Sequence, residues 1–345
     1  MAEEPETPSP PICPLPRLPQ PRQGDDVCAS RMGPWNQSAD PGFTLTGLFG
    51  HSAAPPPLLA LVATVFSAGL LGNAVLLLLI RVDARLHTAM YFLLSQLSLL
   101  DIGFPLVTIP KMLAVVARGD HSISRAGCMA QMFCLMLMGV SEGVLLSLMS
   151  YDRYVAVCHP LHYALRMTPR LSLLMAAASW ASGLLVASVL TAVALHIPFG
   201  AERAVQHFFC ELPALLRLAC TDVAPFELAL SVSGVAILLL PLSLVFSSYG
   251  HVLAAVVRMR SAEARHKAFA TCSSHLAVVG LFYGAAVFIY MVPGTYHTPQ
   301  QDDVVSLFYS LVTPTLNPLI YSLRNREVRA ALAKVLGRAA LRAKR

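Results

Sequence analysis

The chain has 345 residues, 56% of them hydrophobic and only 13% charged, and its mean hydropathy of +0.62 lies well outside the soluble range. That composition excludes a soluble globular domain and points to a polytopic membrane protein. The net charge of +6 is spread along the chain as a topology signal, with no patch of the kind that binds nucleic acid.

Residues 1–31 are rich in Pro and acid and lack the apolar core of a cleaved signal peptide, so they read as disordered. The first apolar span must then act as its own insertion signal. Asn36-Gln37-Ser38 is a glycosylation sequon ahead of that span. Apolar runs of about 20 residues place seven spans near Leu58 to Ile80, Tyr91 to Ala117, Gly127 to Ser150, Leu171 to Ile197, Phe226 to Val257, Phe269 to Val292 and Val304 to Leu323. The expected organisation is an all-α seven-helix membrane bundle over 58–323, preceded by an extracellular segment, 1–57, and followed by a basic cytoplasmic tail, 324–345. Arg81, Arg85, Arg166, Arg170, Arg258, Arg260, Arg265, Lys267 and the bases of the tail fall on one side, which the positive-inside rule makes cytoplasmic. Val328, Leu332, Val335 and Leu336 recur at helical spacing among those bases, the pattern of a short amphipathic helix on the membrane surface.

Charge inside a span is costly and is by default a functional candidate. Glu142 is the only charge between Gly127 and Ser150. It precedes Arg153 by eleven residues, about 16 Å and close to three turns, so both project from one helix face. Asp101, Asn73 and Asn317 fall at a similar depth on three other spans. Four polar side chains at one level predict an internal cluster, either an ion site or a hydrogen-bonded packing cluster with one acid protonated.

Asp152-Arg153-Tyr154 lies where the third span meets the interface, within Met149 to Tyr163, MSYDRYVAVCHPLHY. Further along stand Leu86 to Ser95, LHTAMYFLLS; Lys267 to Leu276, KAFATCSSHL; and Pro314 to Asn325, PTLNPLIYSLRN. In this order, over roughly Gly72 to Val328, the chain resembles the olfactory receptors of the tetrapod type (class II), within the rhodopsin-like (class A) G-protein-coupled receptors. Ala89 stands where that family normally has Pro.

The resemblance implies a function and assigns roles. An odorant receptor binds small volatile molecules in the outer half of the bundle and activates a heterotrimeric, stimulatory olfactory-type G protein to raise cyclic AMP at the plasma membrane. Arg153, held by Asp152 and followed by Tyr154, is the switch, with Tyr249, Asn317, Pro318 and Tyr321 in the activation machinery. Asp101 and Glu142 match a sodium site, and no other cofactor or metal is expected. Cys128 and Cys210 match the family disulfide. Cys220 lacks its usual loop partner and is expected to be free, with Cys13 or Cys28 as the alternative.

Within such a bundle, Met132, Leu135, Met136, Gly139 and Val140 share the face of Glu142, and a pliable Met stripe suits varied apolar ligands. Ser233 and Ile237 on span five and Tyr283, Val287 and Tyr290 on span six are expected opposite them. No acid occupies the outer half of the third span, so a cationic amine lacks a counter-ion there and the expected ligand is apolar with one hydrogen-bonding group.

His159 and His162 beside Cys158 belong to the loop motif and are not read as metal ligands. There is no phosphate loop, HExxH or nucleophile elbow, so no enzyme is expected. A non-olfactory chemoreceptor of the same fold is the alternative. A transporter is disfavoured by the odd span count and the lack of an inverted repeat.

Overall fold

The computed structural model describes residues 42–47, 56–200, 203–220, 224–292 and 298–343. The sequon at Asn36, the segment 1–31 and Cys13 and Cys28 lie outside them. Among the described residues, seven helices are long and apolar enough to cross a membrane: α1 (Pro56–Val82), α2 (Ala89–Arg118), α3 (Arg125–Cys158), α4 (Pro169–His196), α5 (Ala224–Arg258), α6 (Ala262–Met291) and α7, which runs from Pro299 to Arg324. A further helix, α8, spans Arg326–Ala343.

The helix ends follow capping chemistry more than hydropathy. Ser124, Thr168 and Ser261 cap α3, α4 and α6 by accepting from the amides of Gly127, Leu171 and Ala264. Thr298 and Gln301 form a capping box at the start of α7. Gly119, at φ 68°, closes α2 in the left-handed conformation. Three expected boundaries change. α7 begins at Pro299 rather than Val304. Ser261 starts α6 about two turns before Phe269, and α3 runs on past Ser150 to Cys158, so Asp152 and Arg153 are interior to a helix. Pro105 and Pro110 lie within α2, which is continuous through both.

α3 is the axis of the bundle and touches α2, α4, α5 and α6. Its contact with α4 depends on small residues. A Cβ added to Gly183 would run into Ser141 Oγ and the Leu137 carbonyl oxygen, well inside van der Waals contact. α7 is irregular: a wide π turn over Phe308–Val312 separates Pro299–Leu307 from Thr313–Arg324.

At the pole that carries Cys128, a small sheet adds to the mostly helical fold. Strand β1 (Phe43–Leu45) pairs antiparallel with β2 (Ser122–Ile123) and parallel with β3 (Ala204–Val205). Phe43, Leu45 and Val205 are buried with Met129, Met132, Leu212, Leu215 and Leu216 in a second core over the bundle. At the opposite pole α8 docks by Val328 and Ala331, both 1% exposed, with Leu332 and Val335 partly buried. Leu336, expected with them on the membrane-surface side of the helix, is 60% exposed and does not pack on the bundle. It lies one residue past Val335, so the helix turns it away from the protein.

Gly183→Ala should therefore lower the thermal midpoint of the detergent-solubilised protein, by the equivalent of about 1–3 kcal/mol for overpacking. Gly234→Ala should not, because nothing lies within 4 Å of its added Cβ.

Candidate functional site

Between α3, α5, α6 and the segment after α4 lies a cavity of about 470 Å³, within the usual range for a small-molecule site. Its walls include Leu135, Met136, Gly139 and Val140 of α3, Ile237 of α5, and Tyr283 and Tyr290 of α6. Its roof is the segment beginning at Cys210, which is joined to Cys128 by a disulfide and continues into a short helix, Leu212–Leu216. Gln131 fastens that roof: its side-chain amide donates to the Val107 carbonyl at 2.8 Å while its carbonyl accepts from the Cys210 amide at 2.8 Å.

At the other pole Arg153 Nη2 lies 2.9 Å from Asp152 Oδ2, and Tyr163 donates to Asp152 Oδ1 at 2.6 Å. Both members of the ion pair are buried. Midway along the bundle, Asn317 Nδ2 donates to both oxygens of Asp101, at 2.9 and 3.1 Å. Glu142 stands within electrostatic reach of Asp101. Asn73 belongs to the same buried level but donates to the carbonyls of Gly69 and Pro314.

A sequence profile described as "Olfactory receptor" matches residues 62–339. The chain is 66% identical over 311 residues to human Olfactory receptor 2Z1, covering 90% of this chain and 99% of that one. It is 53% identical to human Olfactory receptor 2T35, covering 86% and 91%, and 52% identical to mouse Olfactory receptor 2V1, covering 89% and 98%. The chain belongs to the olfactory receptor family. It is thus a rhodopsin-like G-protein-coupled receptor and not an enzyme, and its seven apolar helices make it a multi-pass plasma-membrane protein.

Several expected pocket residues of the receptor lie elsewhere. Met132 is fully buried in the core beneath the sheet, one turn nearer the disulfide than the cavity wall. Val287 packs against the main core, because Ala286, Ile289 and Tyr290 take the cavity side of α6. The side chain of Ser233 lies outside the described residues. Tyr283 lines the cavity, but its hydroxyl donates to the Gly143 carbonyl at 2.7 Å, so that proton is already used in joining α6 to α3.

Sequence reading missed Glu211 and Arg217, which line the roof of the cavity. The available signal was position: the residue after Cys210 is carried over the bundle by the disulfide. Glu211 adjoins a buried group centred on His207. His207 Nδ1 accepts from the Phe209 amide at 3.4 Å, leaving Nε2–H to donate to Ser306 Oγ at 3.1 Å. Nε2 lies 3.6 Å from Asp303 and 3.8 Å from Glu211. Burial holds His207 down at about 4, while burial and the nearby Asp302 raise Glu211 to about 7.

Tyr249 and His275 form another unforeseen link. The Tyr249 hydroxyl donates to His275 Nδ1 at 2.8 Å, and His275 Nε2 donates to the Leu146 carbonyl at 3.0 Å. In this conformation Tyr249 is tied to α6, and α6 to α3. Tyr154 bonds His159 Nε2 at 3.1 Å, and Pro318 packs closely against Gly72 of α1. Cys220 is disulfide-bonded, with a partner outside the described residues, which corrects the expectation of a free thiol.

Asn73 Oδ1 and Asn317 Oδ1 are buried without a hydrogen-bond partner, so with the carboxylates of Asp101 and Glu142 this level offers oxygen donors, the kind a small hard cation would require. No group of three or more His, Cys, Asp or Glu is gathered for a metal among the described residues. Any ion at this level therefore rests on two carboxylates and amide oxygens.

The two titrating groups of the roof oppose each other. Raised above its ordinary 4.5, Glu211 favours the packed loop below about 4.5 and loses that preference as pH rises through about 7. Held below its ordinary 6.5, His207 favours packing above about 6.5 and loses it as pH falls through about 4. Between 4.5 and 6.5 the two slopes offset. Glu211→Gln should leave the His207 slope alone, so the thermal midpoint of the variant relative to wild type should climb over that interval. The ceiling is about 1.4 kcal/mol per pH unit.

Proposed function

We propose that the receptor takes small, largely apolar odorants into the cavity between α3, α5, α6 and the disulfide-tied roof, and that occupancy frees Arg153 to engage a stimulatory, olfactory-type heterotrimeric G protein and raise cyclic AMP. The observation that carries this reading is that one helix, α3, contributes both a wall of the cavity and the buried Asp152–Arg153 pair. The disulfide pole then faces outward, where an oxidising environment keeps Cys128–Cys210 intact. The pole bearing Arg81, Arg166, Arg170 and Arg258 faces the cytoplasm. The N-terminus is outside and the tail inside.

Activation is a population shift. In the closed form Asp152 holds Arg153, and His275 holds Tyr249 and the Leu146 carbonyl. The open form releases these, exposing Arg153 and letting Tyr249 and Tyr321 turn in beneath it. An odorant favours that form only by binding it better; full reversal of a 1:99 equilibrium takes about 5.5 kcal/mol of differential affinity. Asp101, Glu142, Asn73 and Asn317 would hold a sodium ion, which when bound neutralises buried charge and favours the closed bundle. Asp101 also orients Asn317, next to Pro318 in α7.

The test is cyclic AMP in cells that stain for surface receptor, screened with a chemically broad odorant panel. Wild type should respond to part of the panel, and Arg153→Ala should lose the response while still binding the odorant. Asp101→Asn should remove any dependence of basal signalling on sodium. An evoked response unchanged in Arg153→Ala would refute the switch.

A further inference from the structure

Viewed from α3 alone the cavity has no acid in its outer half, yet the fold brings one there from the loop. Glu211 lines the cavity and is 7% exposed, and its Oε2 has no hydrogen-bond partner. Oε1 is 3.8 Å from His207 Nε2, beyond hydrogen-bonding distance, and that N–H is directed to Ser306. A carboxylate can accept about four hydrogen bonds, and an unpaired buried acceptor bears its whole desolvation cost. Tyr283 spends its proton on Gly143. The surrounding charges are mixed: Asp302 adds negative potential at Glu211, Arg217, which lines the same cavity and lies 4.0 Å from Asp302, offsets part of it, and His207 is neutral. Tyr290 and Tyr309 are within electrostatic reach of Glu211 and complete its surroundings.

We propose that Glu211 is the polar anchor of the ligand site, selecting compact apolar molecules that present one N–H or O–H donor, primary amines and alcohols, over acceptor-only molecules of the same skeleton. This rests on the cavity being the odorant site. An amine or alcohol head supplies the missing donor to Oε2 while its hydrocarbon body lies against Leu135, Met136, Val140 and Ile237. An ether or ester of equal size leaves the ionised Oε2 bare and sets a second lone pair against it, whereas below about 7 the protonated carboxyl can donate to it.

The experiment measures ligand-induced thermal shift of the purified full-length receptor, which needs no G protein. The probes are heptylamine, heptan-1-ol, heptyl methyl ether and heptane, with the same four heads on a phenylethyl skeleton. The amine, the alcohol or both should bind at least tenfold more tightly than the ether and the hydrocarbon. Glu211→Gln should weaken the preferred donor by about 10- to 100-fold, the range for loss of one hydrogen bond to a charged group. It should improve the ether, to which the new amide can donate. Glu211→Asp, which keeps the carboxylate, should retain the preference. Because Glu211 sits near 7, alcohol affinity should rise from about pH 6 to 8 in wild type and be flat in Glu211→Gln. Amine binding alone marks a charge-selecting site, and equal binding of both heads marks a hydrogen-bond acceptor; either supports the anchor. Binding without donor preference, or a preference that survives Glu211→Gln and disappears in Glu142→Gln, overturns the anchor and leaves the cavity as the ligand site. Failure of all eight probes to bind folded receptor overturns the cavity reading and the anchor with it.

Discussion

Arg153 is 8% exposed and Asp152 1% exposed, 2.9 Å apart within a mostly apolar helix. A buried ion pair of this kind adds little net stability, because desolvating two charges cancels much of their attraction, yet separating it without new partners is very costly. Such a pair suits a structure with two settings: it persists while both charges face each other and releases only when something else receives the guanidinium. Tyr163 strengthens the closed setting from the loop below by occupying the other carboxylate oxygen. Most of the helices pack on α3, the element that carries this pair, so a rotation or shift of α3 or α6 is felt along the whole bundle.

The opposite pole is built for rigidity. Three short strands, one from each of three separate segments, meet over the end of α3, and their apolar side chains form a core of their own. The Cys128–Cys210 bond and the two hydrogen bonds of Gln131 hold the loop to that core. A roof fixed in this way gives the cavity a constant shape on one side, while its α6 side is held by a few polar contacts, such as Tyr283 to Gly143. The side able to yield is therefore the one that also carries His275 and its link to Tyr249.

Much of this was readable from residue patterns because membrane helices obey a simple rule: an apolar run of sufficient length, flanked by bases on one side. All seven spans were found where the runs lie, and the depth of Asp101, Glu142, Asn73 and Asn317 followed from helical rise alone. The boundaries were less legible, since Ser261 and Thr298 start helices in polar sequence where hydropathy says nothing. The sheet was invisible because Phe43–Leu45 is too short for an alternation to register and its partners lie about 80 and 160 residues away. Met132 shows the limit of periodicity: spacing placed it on the inward face, and it is inward, but a turn too high to reach the cavity. Glu211 was hidden for the opposite reason, since nothing in a loop's periodicity says which side chain will point down.

These two ends are connected by distance and stiffness. From Glu142, on the cavity floor, to Arg153 is eleven residues or about 16 Å of continuous helix, a span over which α3 moves as one body. A ligand that only fills the cavity equally in both conformations shifts nothing. It must gain contact, or relieve an unpaired group, in one of them. The apolar walls provide the first kind of difference as α6 moves against α3, and the polar groups left without partners, Glu211 Oε2 at the top and the amide oxygens of Asn73 and Asn317 below, are where the second kind can arise. Buried unsatisfied oxygens are rare in folded proteins, and these three lie at levels where an occupant could change the balance between the closed and open arrangements of Arg153.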